Sequence, residues 1–192
     1  MKDGRAIKIK FLFQFVLVVM ILSGLTACYN EKSNAATAQS NEAKFDKNKD
    51  LQFLLDAGEI ALEQIKCGQL AQKKSLNVDI QALGKMLEED YTNALNELIP
   101  LAQSKGLTIP IALTDKSQAT YNQLVATPIN YFDRAYCDIE VNRHEEIVAK
   151  FQKVFTESAD EGTRRWALSK LPKLRQNLAF SLMTQKKFDS IK

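Results

Sequence analysis

The residues with the greatest chemical capacity in this chain of 192 residues stand together in Phe132-Asp133-Arg134-Ala135-Tyr136-Cys137-Asp138-Ile139-Glu140-Val141-Asn142-Arg143-His144-Glu145-Glu146. The stretch holds the single histidine, one of three cysteines and a dense run of acids and bases. Glu140 and His144 are spaced to share one helix face, a turn apart. Such a pair suits half of a metal site, or a buried hydrogen-bonded contact that fixes helix register. Glu145 and Glu146 fall on the solvent side. Catalysis has less support. There is no Gly-x-Ser-x-Gly elbow and no sheet to carry one. Cys137 and His144 are about 10 Å apart along a helix, too far for a thiol–imidazole relay. The sequence therefore predicts no catalytic constellation and no enzyme.

The start of the chain says where these residues would work. Lys2, Arg5, Lys8 and Lys10 against Asp3 carry the whole formal excess of +3, so the chain from Cys28 onward is neutral. A neutral domain exerts no general pull on nucleic acid, and none is expected as a partner. Lys73-Lys74 and Lys186-Lys187 read as solvated helix ends. The basic start leads into an apolar run, Phe11 to Leu22, of secretory-signal length, followed by Leu25-Thr26-Ala27-Cys28. This tetrad resembles the bacterial lipobox, in which the cysteine thiol receives a diacylglycerol. Residues 1–27 thus read as a lipoprotein signal peptide with lipidation at Cys28. Ser23, Gly24 and Thr26 argue against an uncleaved span, which needs about 20 apolar residues. Tyr29, where an Asp would retain the protein at the inner membrane, favours the outer membrane with the domain facing the periplasm. The membrane, through its lipid, is the expected partner. The diacylglycerol on Cys28 is the only attached group, and no other cofactor is expected. An envelope protein is the natural class for any further partner, and oligomeric state has no signature. In the oxidising periplasm Cys67 and Cys137 form an even pair and a disulfide candidate.

The elements that must position Glu140 and His144 are helical. Residues 28–47 are polar and read as a flexible tether, holding the domain roughly 25 Å from its lipid. Residues 48–188 carry helix periodicity throughout, without period-2 alternation. The first helix is expected from about Asn48 to Lys74, with Phe53, Ala57, Ile60, Gln64, Cys67 and Ala71 on its inner face. Asn77 caps the second, whose inner stripe is Ile80, Leu83, Leu87, Tyr91, Ala94 and Leu98. Pro100 is expected to bend its last turns, and Gly106 to end it. A long connection with a short helical piece around Asp115 to Val125 leads to Pro128, a good first-turn residue. The third helix places Cys137, Glu140, His144, Val148, Phe151 and Phe155 inward. The fourth, interrupted or kinked at Pro172, places Ala167, Leu171, Leu174 and Leu178 inward. Phe132, Tyr136, Phe151, Phe155, Trp166 and Phe180 read as core. Two helical hairpins joined by a long crossover describe a four-helix bundle.

Gly68-Gln69-Leu70-Ala71, Met86-Leu87-Glu88-Glu89-Asp90, Leu98 to Gly106, Phe132-Asp133-Arg134-Ala135-Tyr136 with His144 beyond, and Leu171-Pro172-Lys173-Leu174 occur in that order. With these segments the chain from about Leu51 to Gln185 resembles a bacterial envelope family catalogued as domain of unknown function 4142, a ferritin-like group. The resemblance implies an all-α, ferritin-like four-helix bundle with the long crossover between helices two and three. The family pattern often carries a Glu before Ile65, a His after Asp90, a His at the position of His144 and a His after the Leu-Pro segment. Here Gln64, Tyr91 and Asn177 replace three of the four. Ferritin-like metal sites need inward carboxylates and Glu-x-x-His pairs, so Gln64, Tyr91, Glu140 and His144 are expected as a buried polar cluster without metal. In such a bundle helices one and three are antiparallel. Cys67, three residues after Gln64, and Cys137, three before Glu140, then lie at one level. A Cys67–Cys137 disulfide is the expectation, and two separate buried thiols the alternative. The functional expectation is a non-enzymatic envelope lipoprotein, structural or interaction-mediating. The alternative is a metal-binding or redox ferritin-like bundle.

Overall fold

A computed structural model describes the backbone of residues 31–189 and the side chains of residues 47–188. The expected signal peptide and Cys28 lie outside the described residues. Five helices account for the regular structure described: α1 (Glu31–Lys74), α2 (Val78–Gln103), α3 (Asp115–Ala126), α4 (Ile129–Glu157) and α5 (Glu161–Asp189). Among the described residues there is no strand, and no helix is long and apolar enough to cross a membrane. The chain divides into two compact units, Met1–Phe45 and Asp46–Lys192, and the contacts that follow belong to the second. α1 begins at Glu31, so helical backbone extends into the stretch read as a tether. No Gly or Pro interrupts the chain between Glu31 and Ala57, and Ala, Glu, Lys and Gln are strong helix formers even where nothing is buried.

The local signals act as their chemistry requires. The Asn77 side chain accepts from the Asp79 N–H at 2.8 Å and caps α2. Gly106 has φ 76, the left-handed turn that closes the end after α2. Pro128 precedes the first residue of α4. Pro100 and Pro172 both lie inside helices that run on past them.

Polar contacts fix the direction of each helix. Asp56 meets Lys150 at 2.5 Å, Glu63 meets Arg143 at 2.5 Å and Ser75 meets Asp133 at 2.6 Å. Numbering rises along α1 as it falls along α4, so the two are antiparallel. Asp79 with Lys187 and Asp90 with Lys173 show the same for α2 and α5. α1 and α2 are joined by a three-residue turn and pack backbone to backbone, with Gly68 and Gly84 at the crossing. α2 and α4 therefore run parallel, and the connection carrying α3 must traverse the length of the bundle. α3 is tied down along that path. The Ser117 hydroxyl lies 2.9 Å from both the Glu59 and Glu63 carboxylates, and Thr114 donates to Glu59. At its far end the Lys74 ammonium donates to the carbonyls of Leu124, Val125 and Thr127 at 2.9, 2.6 and 2.6 Å. A cation on the unpaired carbonyls at a helix C-terminus is favourable.

The core is a single cluster drawn from all five helices. Phe53, Phe151 and Trp166 pack edge-to-face or tilted, with centroids 5.1 to 6.1 Å apart. All six residues expected on the inner face of α1 are buried. In α4 the stripe is Cys137, Glu140, His144, Ile147 and Phe151, and Val148 and Phe155 are only half-buried. In α5 the inner line continues past Leu174 through Asn177, Ser181 and Thr184, all essentially fully buried, while Leu178 is half-buried. That end of the bundle is filled with small polar side chains, which a search for apolar periodicity does not see.

Candidate functional site

Gln64, Tyr91, Glu140 and His144, expected as one buried polar cluster, are buried from α1, α2 and α4. Each sits on the inner stripe of its helix, so the antiparallel pairing carries them toward a common interior. His144 is fully buried, and both ring nitrogens are engaged. Nδ1 lies 2.8 Å from the Glu140 backbone carbonyl, and Nε2 lies 3.2 Å from the Tyr91 hydroxyl. A carbonyl only accepts, so Nδ1 carries the hydrogen and Nε2 accepts from the Tyr91 O–H. The imidazole is neutral. Burial pushes its pKa down to about 4, and the Arg143 charge assists.

Glu140 shows the opposite displacement. Its side chain is fully buried, with Oε2 3.4 Å from His144 Nδ1, and neither oxygen closes a hydrogen bond. Burial, then the negative charge of Glu63, raise its pKa to about 8. The Gln64 amide and Arg143 oppose this without overcoming it. At neutral pH Glu140 is a protonated carboxylic acid. Glu63, also buried, is held differently: it accepts from Arg143 at 2.5 Å and stands 2.9 Å from Ser117. Burial alone would lower the Arg143 pKa, but Glu63 and Glu146 hold it above its usual value. The two inward carboxyls thus differ in kind, one in an ion pair and one kept neutral.

The cysteines do not form the expected bridge. Cys67 and Cys137 are free, buried thiols. Burial, followed by Glu140, raises Cys67 well above its ordinary value, and burial, followed by Asp138, pushes Cys137 up to about 12. Their charged surroundings differ. Cys67 feels Glu140, Glu63 and Arg143, whereas Cys137 feels Asp138, Asp133, Glu140 and Arg134. The reason is rotational. A step of three residues falls about 60° short of a full turn. Three forward on α1 and three back on an antiparallel α4 reach the same height, but turn to opposite sides of the line between the helices. Level alone does not bring two sulfurs to the 3.5–4.5 Å Cβ separation that a disulfide needs. Neither thiol is activated, since nucleophilic cysteine needs a lowered pKa.

The donor set does not fit a ferritin-like metal. A metal needs a free imidazole lone pair and ionised carboxylates, but His144 Nε2 is taken by Tyr91 and Glu140 is protonated at neutral pH. Among the described residues no three His, Cys, Asp or Glu side chains gather into a metal-sized group.

The sequence marked Asn177 only as the replacement for a family His and Trp166 only as core, and it did not mark Arg143. Arg143 looked like one charge among many, and only the pairing of α1 with α4 delivers it to Glu63. Asn177 is 1% exposed, and neither end of its amide has a hydrogen-bond partner. The Trp166 indole N–H is likewise buried and unpartnered.

Residues 34–180 match the family described as Domain of unknown function (DUF4142). The chain belongs to that family. The resemblance carried by the Gly68, Met86, Phe132 and Leu171 segments is thereby supported over most of the domain. No curated protein and no solved structure matches the chain. Membership in the DUF4142 family assigns no activity.

Proposed function

We propose that this DUF4142 protein is a lipid-anchored envelope protein whose bundle is a structural or interaction-mediating module and not a catalyst. The observation behind this reading is His144, the one histidine of the chain. It is neutral, fully buried, and closed on both nitrogens by Tyr91 and the Glu140 carbonyl. A histidine so placed cannot take a metal on Nε2 without breaking the contact that joins α2 to α4, and burial opposes its protonation. The buried thiols are held protonated, which removes the other nucleophile class. The address rests on Leu25-Thr26-Ala27-Cys28, with the diacylglycerol on Cys28 tying the domain to the outer membrane on its periplasmic side.

Two measurements test the two halves. Elemental analysis of protein purified without chelator is expected to find metal far below one ion per chain. A near-stoichiometric ion that His144→Ala removes would establish the metal-binding alternative. Wild-type protein is expected to sediment with membranes, and Cys28→Ser to release it into the soluble fraction or leave it unprocessed. A Cys28→Ser protein that is processed and sediments as before would remove the lipid anchor from the reading.

A further inference from the structure

A cavity of about 180 Å³ opens between α1, α2, α4 and α5. Its walls are apolar: Ile60, Leu98, Phe151, Trp166 and Leu174, with space left by the small side chains of Ala57, Ala61 and Ala94. The volume compares with the cavity of ~150 Å³ that admits a benzene ring in an otherwise apolar core. Phe151 and Trp166, with ring centroids 5.5 Å apart, form an aromatic wall.

The cavity is not purely apolar. Asn177 lines it, and both amide atoms of that 1%-exposed side chain lack a protein partner. Trp166 lines it as well, with its buried indole N–H unpartnered. Buried amides are normally satisfied, because an unmet donor or acceptor destabilises the fold. Four such atoms belong to residues lining this cavity, two donors and two acceptors, the fourth being Asp90 Oδ2, and together they define what would satisfy them. Asn177 presents one donor and one acceptor side by side, and the complement of that edge is another amide edge. The Trp166 N–H supplies a second donor for a ligand carbonyl. At the mouth, Lys170 pairs with Glu97, and Lys173 lies 3.5 Å from Asp90. Each cation there has an anion, so no net charge awaits a charged ligand.

We propose that this cavity is a binding site for a small, uncharged, ring-sized molecule carrying a primary amide or lactam edge. The ring lies against Phe151 and Trp166, and the amide pairs with Asn177. The site adjoins the buried polar cluster through Tyr91, which lines it, but is not lined by Glu140 or His144, and it stands whether or not the protein is a structural module.

The test uses the full-length protein and four probes: benzamide and 2-piperidone as the amide and lactam, toluene as an apolar ring of similar size, and benzoate as a charged one. Titration calorimetry is paired with the NMR signal of the single tryptophan's indole N–H. Benzamide is expected to bind at least about tenfold more tightly than toluene, the difference one to two net hydrogen bonds make, and to shift the Trp166 indole N–H. Benzoate is expected to bind more weakly than benzamide. Asn177→Leu is expected to bring benzamide down to the level of toluene. Ala61→Leu, which takes up cavity space while keeping the Asn177 amide, is expected to abolish both. If Asn177→Leu does not fold, the wild-type ranking and the indole shift still decide. The proposal is overturned if neither benzamide nor 2-piperidone binds, if toluene binds as well as benzamide, or if Ala61→Leu leaves binding intact.

Discussion

His144 and Glu140 exchange protonation states on folding. In the unfolded chain near pH 6 an imidazole of pKa 6.5 is charged and a carboxyl of pKa 4.5 is ionised. In the fold the imidazole, at about 4, is neutral, and the carboxyl, at about 8, keeps its proton. The sign follows from counting protons. Between pH 4.5 and 6.5 each state holds one proton on the pair, so the pair contributes no slope to stability. Above pH 6.5 the unfolded pair has none while the folded pair keeps one, so stability falls as pH rises towards about 8. One proton over that window amounts to about 2 kcal/mol. Urea midpoints at pH 5.5, 6.5 and 8 should show a plateau and then a decline. Glu140→Gln should abolish the decline, and a decline of the same size in that variant would place its source elsewhere. Glu63, Arg143 and Tyr91 surround the pair, and of these Glu63 does most to keep Glu140 protonated. Tyr91→Phe leaves His144 Nε2 as a buried acceptor without a donor. It should cost about 1–3 kcal/mol in denaturant unfolding with little change in fold, and an unchanged midpoint would mean the bond is not formed.

Helix packing turns on two glycines at the α1–α2 crossing. A Cβ at Gly68 would lie 2.5 Å from the Gly84 carbonyl oxygen, and one at Gly84 would lie 2.7 Å from that of Gly68. Backbone cannot step aside, so Gly84→Ala must force the helices apart. Overpacking of this kind costs about 1–3 kcal/mol, more than the gain of up to about 1 kcal/mol that alanine brings to a helix interior. Gly58 makes the contrast. Its added Cβ would come nearest the Ile109 side chain, on the connection after α2, and a side chain on a loop can change rotamer or shift where helix backbone cannot. Thermal melts should rank Gly84→Ala as clearly destabilising and Gly58→Ala as much milder, and the reverse order would contradict the close crossing. The crossover helix is held by the same logic of specific contact. Glu63 joins α1 to Arg143 of α4 and to Ser117 of α3. Glu63→Ala leaves a guanidinium that is 15% exposed in its side chain without its main partner. Breaking a buried pair from one side costs about 3–5 kcal/mol, and α3 amides should lose protection in hydrogen exchange before the rest of the bundle does.

For the molecule as a whole, five helices close on one core without a covalent staple among the described residues. Unreduced protein should therefore show no reactive thiol from Cys67 or Cys137 when native and both after denaturation, and reductant should leave its melting temperature unchanged. Much of this architecture was legible in the sequence. Helix periodicity is a local property, so the inner stripe of α1, the Asn77 cap, the Gly106 turn and the start of α4 after Pro128 follow from residues a few positions apart. The burial of Gln64, Tyr91, Glu140 and His144 follows from the same stripes. Local rules fail where an outcome depends on rotation between helices. Spacing brings Cys67 and Cys137 to a similar height, but packing leaves them as two free buried thiols. Arg143 reaches Glu63, and Asn177 comes to line a cavity beneath Trp166, through contacts between residues far apart in the chain. The protonation of Glu140 is likewise decided in three dimensions. Desolvation and the field of Glu63 set it, and both exist only once α1 and α4 have met. The sequence by itself determined the helices and which face of each turns inward. Tertiary structure alone decided which inward groups touch, because distance and dielectric between helices are not written in the spacing along any one of them.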